Sequence, residues 1–99
     1  MEEIIMELVV NSGAARSLAM EAIDLAAENQ MEEAKAKIEE AKTMSGKAHS
    51  FQTELITKEA NGEHQEMNLI LVHGQDHLMT SMVVIDMAEK FMALYKKIN

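Results

Sequence analysis

Two histidines and an aspartate stand close together in His73-Gly74-Gln75-Asp76-His77, inside a run from Leu69 to Met79 that is otherwise mostly apolar. A helix turns by about 100° per residue, so His73, Asp76 and His77 would share one face, about one turn apart, between Leu69 and Thr80. Leu, Val and Met on both sides predict that the patch is partly desolvated, and buried ionisable groups are costly unless they pair, titrate or bind something. Three chemistries fit the spacing. The trio can be a buried polar device that fixes helix register, with both imidazoles satisfied by hydrogen bonds. His73 and His77 at i,i+4 can instead share a divalent ion, and the order is similar to the H-x-x-E-H arrangement of zinc peptidases. Against a peptidase, Asp76 is shorter than the catalytic Glu, Gly74 fills the Glu position of the H-E-x-x-H order, and no third ligand is evident. In the third chemistry a neutral imidazole, with a pKa of about 6.5, is the nucleophile that takes up a phosphoryl group. Positioning and charge stabilisation do most of that work, so a small protein suffices. On this reading Gly74 leaves space beside His73 for a docking partner.

These residues need helices to hold them. The chain has 99 residues, 47% hydrophobic but only 3% aromatic, with 10 Met, 4 Gly and no Pro. Few helix breakers among many Ala, Glu, Lys, Leu and Met predict an all-α protein, and the length predicts one small domain over 1–99 that gains from self-association. A net charge of -8 argues against nucleic acid, whose binders show a basic face. Without cysteine, disulfide and thiol chemistry are excluded. No apolar run approaches the ~20 residues of a membrane span and no leader pattern opens the chain, so no direct membrane insertion and a cytoplasmic protein are expected.

Helical periodicity predicts segments at about 3–28, 31–60 and 69–97, an antiparallel three-helix bundle. Asn29 suits a left-handed helix end, Asn61-Gly62 a second break, and Asn68 an N-cap for the third helix. Asn11-Ser12-Gly13-Ala14-Ala15 has little side-chain bulk, which fits a tight helix crossing at Gly13, the simpler reading, or a direct ligand contact. Arg16, the one arginine, can be a solvated residue or a phosphoryl ligand. Lys and Glu alternate through 32–42 as a solvated face. His49 reads as a structural histidine near the apolar stripe of the second helix, and His64 as an exposed turn residue. The third helix is apolar almost all round its axis, more than a three-helix bundle can cover. Its face through His73, Asp76, His77, Thr80, Val84, Met87, Phe91, Leu94 and Tyr95 is therefore expected to meet copies of itself.

The string Leu71-Val72-His73-Gly74-Gln75-Asp76-His77-Leu78-Met79-Thr80 closely resembles the signature of the IIA components of the bacterial sugar phosphotransferase system, lactose/cellobiose (chitobiose) type. The likeness extends to Ala15-Arg16-Ser17-Leu18-Ala19-Met20-Glu21-Ala22 and to Ala48-His49 with Gln52-Thr53-Glu54-Leu55-Ile56, and so covers nearly the whole chain. The resemblance implies a homotrimer of three-helix subunits. It implies that His73 accepts phosphate from the phosphocarrier protein HPr and passes it to a cysteine of the IIB component, and so to a sugar entering through the IIC membrane transporter. The cargo would be a β-linked disaccharide such as cellobiose or lactose. It further implies that Asp76 faces its symmetry mates around a divalent ion, Mg2+, with Gln75 and His77 supporting the site by hydrogen bonding. Physics agrees with the metal role, because carboxylates converging on an axis cannot all stay ionised unless protons or a cation compensate. Gly74 departs from the Ala expected there. The alternative of another class is a non-enzymatic oligomeric regulator or adaptor that keeps the bundle without the transfer.

Overall fold

The computed structural model describes residues 2–99. They form three helices, α1 (Glu2–Ala27), α2 (Met31–Ala60) and α3 (Leu69–Ile98), joined by short turns into an up-down-up bundle of 52 × 19 × 18 Å. Helices α1 and α3 therefore run parallel, with α2 antiparallel to both.

The ends of the helices are written locally. At the end of α1, Asn29 adopts a left-handed φ of 63°, the Gln30 amide donates to Leu25 O at 2.9 Å, and the Asn29 amide donates to Ala26 O at 3.0 Å. This is the Schellman arrangement, which satisfies the last carbonyls and turns the chain sharply. The same pair of bonds ends α2, with Gly62 at φ 87°, Glu63 N donating to Lys58 O at 2.9 Å and Gly62 N to Glu59 O at 3.1 Å. Asn68 then caps α3, its side-chain oxygen accepting from the Leu71 amide at 2.8 Å.

Small residues set the spacing of the bundle. Ala15, Ala19, Ala22 and Ala26 of α1 pack with Ala34, Ile38 and Ala41 of α2 and with Ile85, Ala88 and Met92 of α3. Nearer the His73 end, Leu8, Ala48 and Leu78 fill the centre, and Ile5, Leu55 and Leu71 close it. Burying Leu8 and Leu78 completely stabilises the fold by about 1.5–3 kcal/mol each. On α3 the buried positions are Leu71, Gly74, Leu78, Ser81, Ile85, Ala88 and Met92, a strict alternation of three and four that gives one coiled-coil seam.

Gly13 does not make a helix crossing. A Cβ there would meet open space, while Asn11, Ser12 and Ala15 are the residues of that stretch that turn inward. Asn11 is held by its own helix, its side-chain amide donating to Glu7 O at 2.7 Å and to Glu7 Oε2 at 3.0 Å. Ser12 Oγ is buried without a hydrogen-bond partner among the described residues.

The side of α3 opposite its buried seam is exposed and apolar. Leu69, Val83, Met87, Phe91, Leu94 and Ile98 all present surface there, with Val83 60% exposed and Ile98 66%. Val84 and Tyr95, expected on the same face, pack partly against the core instead, at the edge of this surface.

Candidate functional site

The cap at Asn68 starts α3 so that His73 falls just beyond the first turn, and the buried seam then fixes the helix's rotation. With Leu71, Gly74 and Leu78 inward, His73 and Asp76 turn outward and are exposed, and His77 is half-buried at the edge. The rings of His73 and His77 lie one turn apart with centroids 4.1 Å from each other and planes inclined by 50°. Asp76 offers its carboxylate to solvent, while its backbone carbonyl accepts from Thr80 Oγ1 at 2.8 Å.

The three residues share a face, but that face is not desolvated within one chain. The apolar neighbours that suggested burial are divided between two directions. Leu71 and Leu78 enter the core, whereas Leu69, Ile70, Val72 and Met79 are themselves exposed. Any covering of Asp76 must come from outside the chain.

Gly74 also differs from expectation. It is buried, and a Cβ built on it would stand 2.9 Å from Leu8 Cδ2 and 3.6 Å from Val9 Cγ2. Its missing side chain lets α1 and α3 approach each other and opens no room for a partner beside His73.

Gln75 points to neither histidine of its own chain. Two residues on from His73 the helix has turned by about 200°, which directs Gln75 toward α2. There its Oε1 accepts from Gln52 Nε2 at 2.6 Å, and the same Gln52 nitrogen is 3.7 Å from Met79 Sδ. With its oxygen engaged, Gln75 keeps its amide N–H groups for another acceptor. Sequence reasoning gave Gln52 no role. The signal was a polar residue beside Phe51 on the inner edge of α2, where two helices had to meet.

Among the described residues, no group of three or more His, Asp or Glu side chains is placed to hold a metal ion. One chain supplies Asp76 alone, so an ion at this position needs carboxylates from further copies.

Of the other expected residues, His64 is an exposed turn residue, with Nδ1 2.9 Å from Glu59 Oε2. His49 is exposed too, contrary to a buried structural role. It lines a groove between α2 and α3 with Lys42, Asp86 and Glu89. There Lys42 Nζ is 2.9 Å from Glu89 Oε2, and this hydrogen bond, with the attraction of the Glu89 charge, holds the Lys42 ammonium above its usual pKa. Arg16 is exposed, with no carboxylate in ion-pair contact among the described residues. No helix is long and apolar enough to cross a membrane among the described residues.

Residues 3–96 match the family model described as "PTS system, Lactose/Cellobiose specific IIA subunit". The chain is 50% identical over 99 residues to the lichenan-specific phosphotransferase enzyme IIA component of Bacillus subtilis (strain 168), covering 100% of this chain and 90% of that one. Its fold is similar to the crystal structure of the cellobiose-specific enzyme IIA from Bacillus anthracis, with a TM-score of 0.96 and 47% identity over 98% of this chain and 89% of that one. It is also similar to the chitobiose IIA in a solution structure of the IIA–HPr complex from the Escherichia coli N,N'-diacetylchitobiose branch. There the TM-score is 0.84 and the identity 38%, over 98% of this chain and 94% of that one.

Proposed function

The chain belongs to the lactose/cellobiose-specific IIA subunits of the phosphotransferase system, components that carry a phosphoryl group on a histidine, and on that premise we propose that His73 is the carrier. The observation that supports it is the exposure of the His73 ring on the outward face of α3, with the His77 ring 4.1 Å away. A phosphoryl group on His73 would meet a neighbour able to donate an N–H to one of its oxygens.

In this reading phosphorylated HPr is the donor. A lone pair on an unprotonated His73 ring nitrogen attacks phosphorus, the new N–P bond forms, and the donor's bond to phosphorus breaks. The IIB cysteine takes the group in the second transfer and restores His73. Neither step needs a buried cleft, because the catalytic contribution is orientation and charge stabilisation across a protein–protein contact. The sugar is a β-linked disaccharide such as cellobiose or lactose, which enters through IIC without touching this chain, and the carrier works in the cytoplasm.

The working form is a homotrimer built on the exposed face of α3. Leu69, Val83, Met87 and Leu94 fall there on the seven-residue repeats of a second coiled-coil seam, 69, 76, 83 and 80, 87, 94, and three parallel α3 helices would bury it. Asp76 lies on this seam, so three carboxylates would converge on the axis. Their chemistry fits a hard divalent ion such as Mg2+, which would supply counter-charge there. Gln75 faces away from its own His73, and its free amide would support the site from a neighbouring subunit.

The test is incubation with phosphorylated HPr followed by intact-mass measurement. The wild type and His64→Ala gain one acid-labile phosphoryl group, and His73→Ala gains none. Label retained by His73→Ala would overturn the assignment. A wild type that takes up no label would favour the adaptor reading.

A further inference from the structure

The α2–α3 groove and Arg16 have no role in the reading above. The groove has a cavity volume of about 310 Å³ and is lined by Ser45, Gly46 and His49 of α2 and by Met82 and Asp86 of α3. It exists because α2 and α3 meet less closely than either meets α1, and a Cβ on Gly46 would meet open space. Its other charges, Lys42 and Glu89, pair with each other at 2.9 Å, which leaves Asp86 as the groove carboxylate without a cation among the described residues. Arg16 is the complementary case, the chain's one guanidinium, exposed and likewise without an ion-pair partner among the described residues.

Helix geometry puts the two on opposite edges of the bundle. Arg16 lies two turns beyond Val9 and repeats its direction, and Val9 is the residue whose methyl stands 3.6 Å from a Cβ built on Gly74. Arg16 therefore sits on the edge where α1 borders α3. Asp86 lies two turns beyond Met79, which contacts Gln52, and so occupies the edge where α3 borders α2. Between the edges stands the exposed apolar face of α3.

The levels also agree. Leu8 is opposite Gly74, and because α1 and α3 run parallel, Arg16 is level with Met82. Asp86 is one turn further along, about 6 Å, a distance that an arginine side chain spans. A cyclic assembly about the α3 face brings the left edge of each copy to the right edge of the next, since such an interface joins two different patches.

We propose that Arg16 of each subunit seats at the α2–α3 groove of the next and pairs with Asp86 there, so that α1 forms an outer layer of the trimer contact. This rests on the trimeric reading given under the proposed function. Charge complementarity selects the occupant: an acidic groove with one uncompensated carboxylate meets a fork-shaped cation. The small and apolar residues around Arg16 on α1, Gly13, Ser17 and Met20, let the helix approach the groove wall. Gly13, open within its own chain, acquires a packing reason in the contact with the next.

The chain has no cysteine, so placed thiols report proximity directly. Sedimentation of the wild type is measured first. The double variant Arg16→Cys/Asp86→Cys is then treated with a short bismaleimide and run on a denaturing gel, beside each single variant. The expected result is a covalent trimer from the double variant, because every subunit gives one thiol to each neighbour. The single variants should give no trimer. A wild type that sediments as a trimer with no excess cross-linking in the double variant would overturn the pairing and leave the trimer standing. A wild type that sediments as a monomer would remove the trimer, and the pairing with it. Charge reversal gives a second reading: Arg16→Asp and Asp86→Arg each weaken the trimer several-fold, and the combined variant recovers it. No recovery in the combined variant would overturn the pair.

Discussion

Gly74 and Leu8 touch so closely that a Cβ added to the glycine would lie 2.9 Å from Leu8 Cδ2. Gly74→Ala therefore sets two effects against each other. Alanine gains about 1 kcal/mol of helix propensity. The fully buried Leu8 must move a terminal methyl to make room, and small overpacking costs about 1–3 kcal/mol. The clash is with the far end of a flexible side chain, so the low end of that range applies. The expected outcome is a melting free energy within about 1 kcal/mol of the wild type and an unchanged rate of phosphorylation by HPr. Gly74→Val adds two further methyl groups at the same place and should unfold far more readily. A Gly74→Ala variant of normal stability that HPr phosphorylates slowly would restore the docking role that the buried position of Gly74 argues against.

Ser12 carries a buried hydroxyl without a partner among the described residues, on the buried face of α1 between Leu8 and Ala15. An unsatisfied buried polar group costs about 1–3 kcal/mol, and alanine also favours the helix. Ser12→Ala is expected to raise stability by about 1 kcal/mol in urea melts. A loss of stability would mean that the hydroxyl is satisfied within the subunit, by a backbone carbonyl of its own helix or by a buried water.

Gln52 and Gln75 form a side-chain hydrogen bond between α2 and α3 close to His73, at 2.6 Å. Gln52→Leu keeps the bulk at this half-buried position but leaves the Gln75 oxygen without its donor. Stability should fall by about 1 kcal/mol. Transfer from HPr should slow while the extent of phosphorylation is kept, because Gln52 acts only by orienting Gln75. A single-turnover time course compared with thermal melts separates the two. An unchanged rate would leave Gln52 a packing residue alone.

What the sequence disclosed depended on the range of the cause. Asn29 and Gly62 act through their own backbone and Asn68 through a side chain that reaches only the next turn, so the helix ends are legible directly and the observed bounds differ by about one residue. The pairing of His73 with His77 followed from the helical period for the same reason. Two glycines have surroundings other than those expected, because a glycine shows that space is needed without showing on which side. Gly74 faces Leu8 and Gly13 faces out, and both follow from the phase of the buried seams, a property of all three helices together. The apolar neighbours of Asp76 misled in the same way, since apolar residues on every side of a helix do not reveal which side its own subunit covers.

Asp76 is where the single chain and the proposed assembly differ most, and its replacement tests the assembly. In one chain the side chain is exposed, so removing its charge should scarcely affect folding of the subunit. At a three-fold axis the same carboxylate would stand beside two others, and that repulsion has to be offset by a cation or by protons. Asp76→Leu substitutes apolar contact for converging charge, an exchange often neutral or stabilising by about 1–4 kcal/mol. The variant is therefore expected to assemble at least as tightly as the wild type, and to do so equally well with Mg2+ or with a chelator. The wild type should loosen when the ion is removed. Sedimentation equilibrium of both proteins in the two buffers decides the matter. An Asp76→Leu protein that stays folded but monomeric would place Asp76 away from the axis. Metal dependence persisting in that variant would show that the ion is held elsewhere.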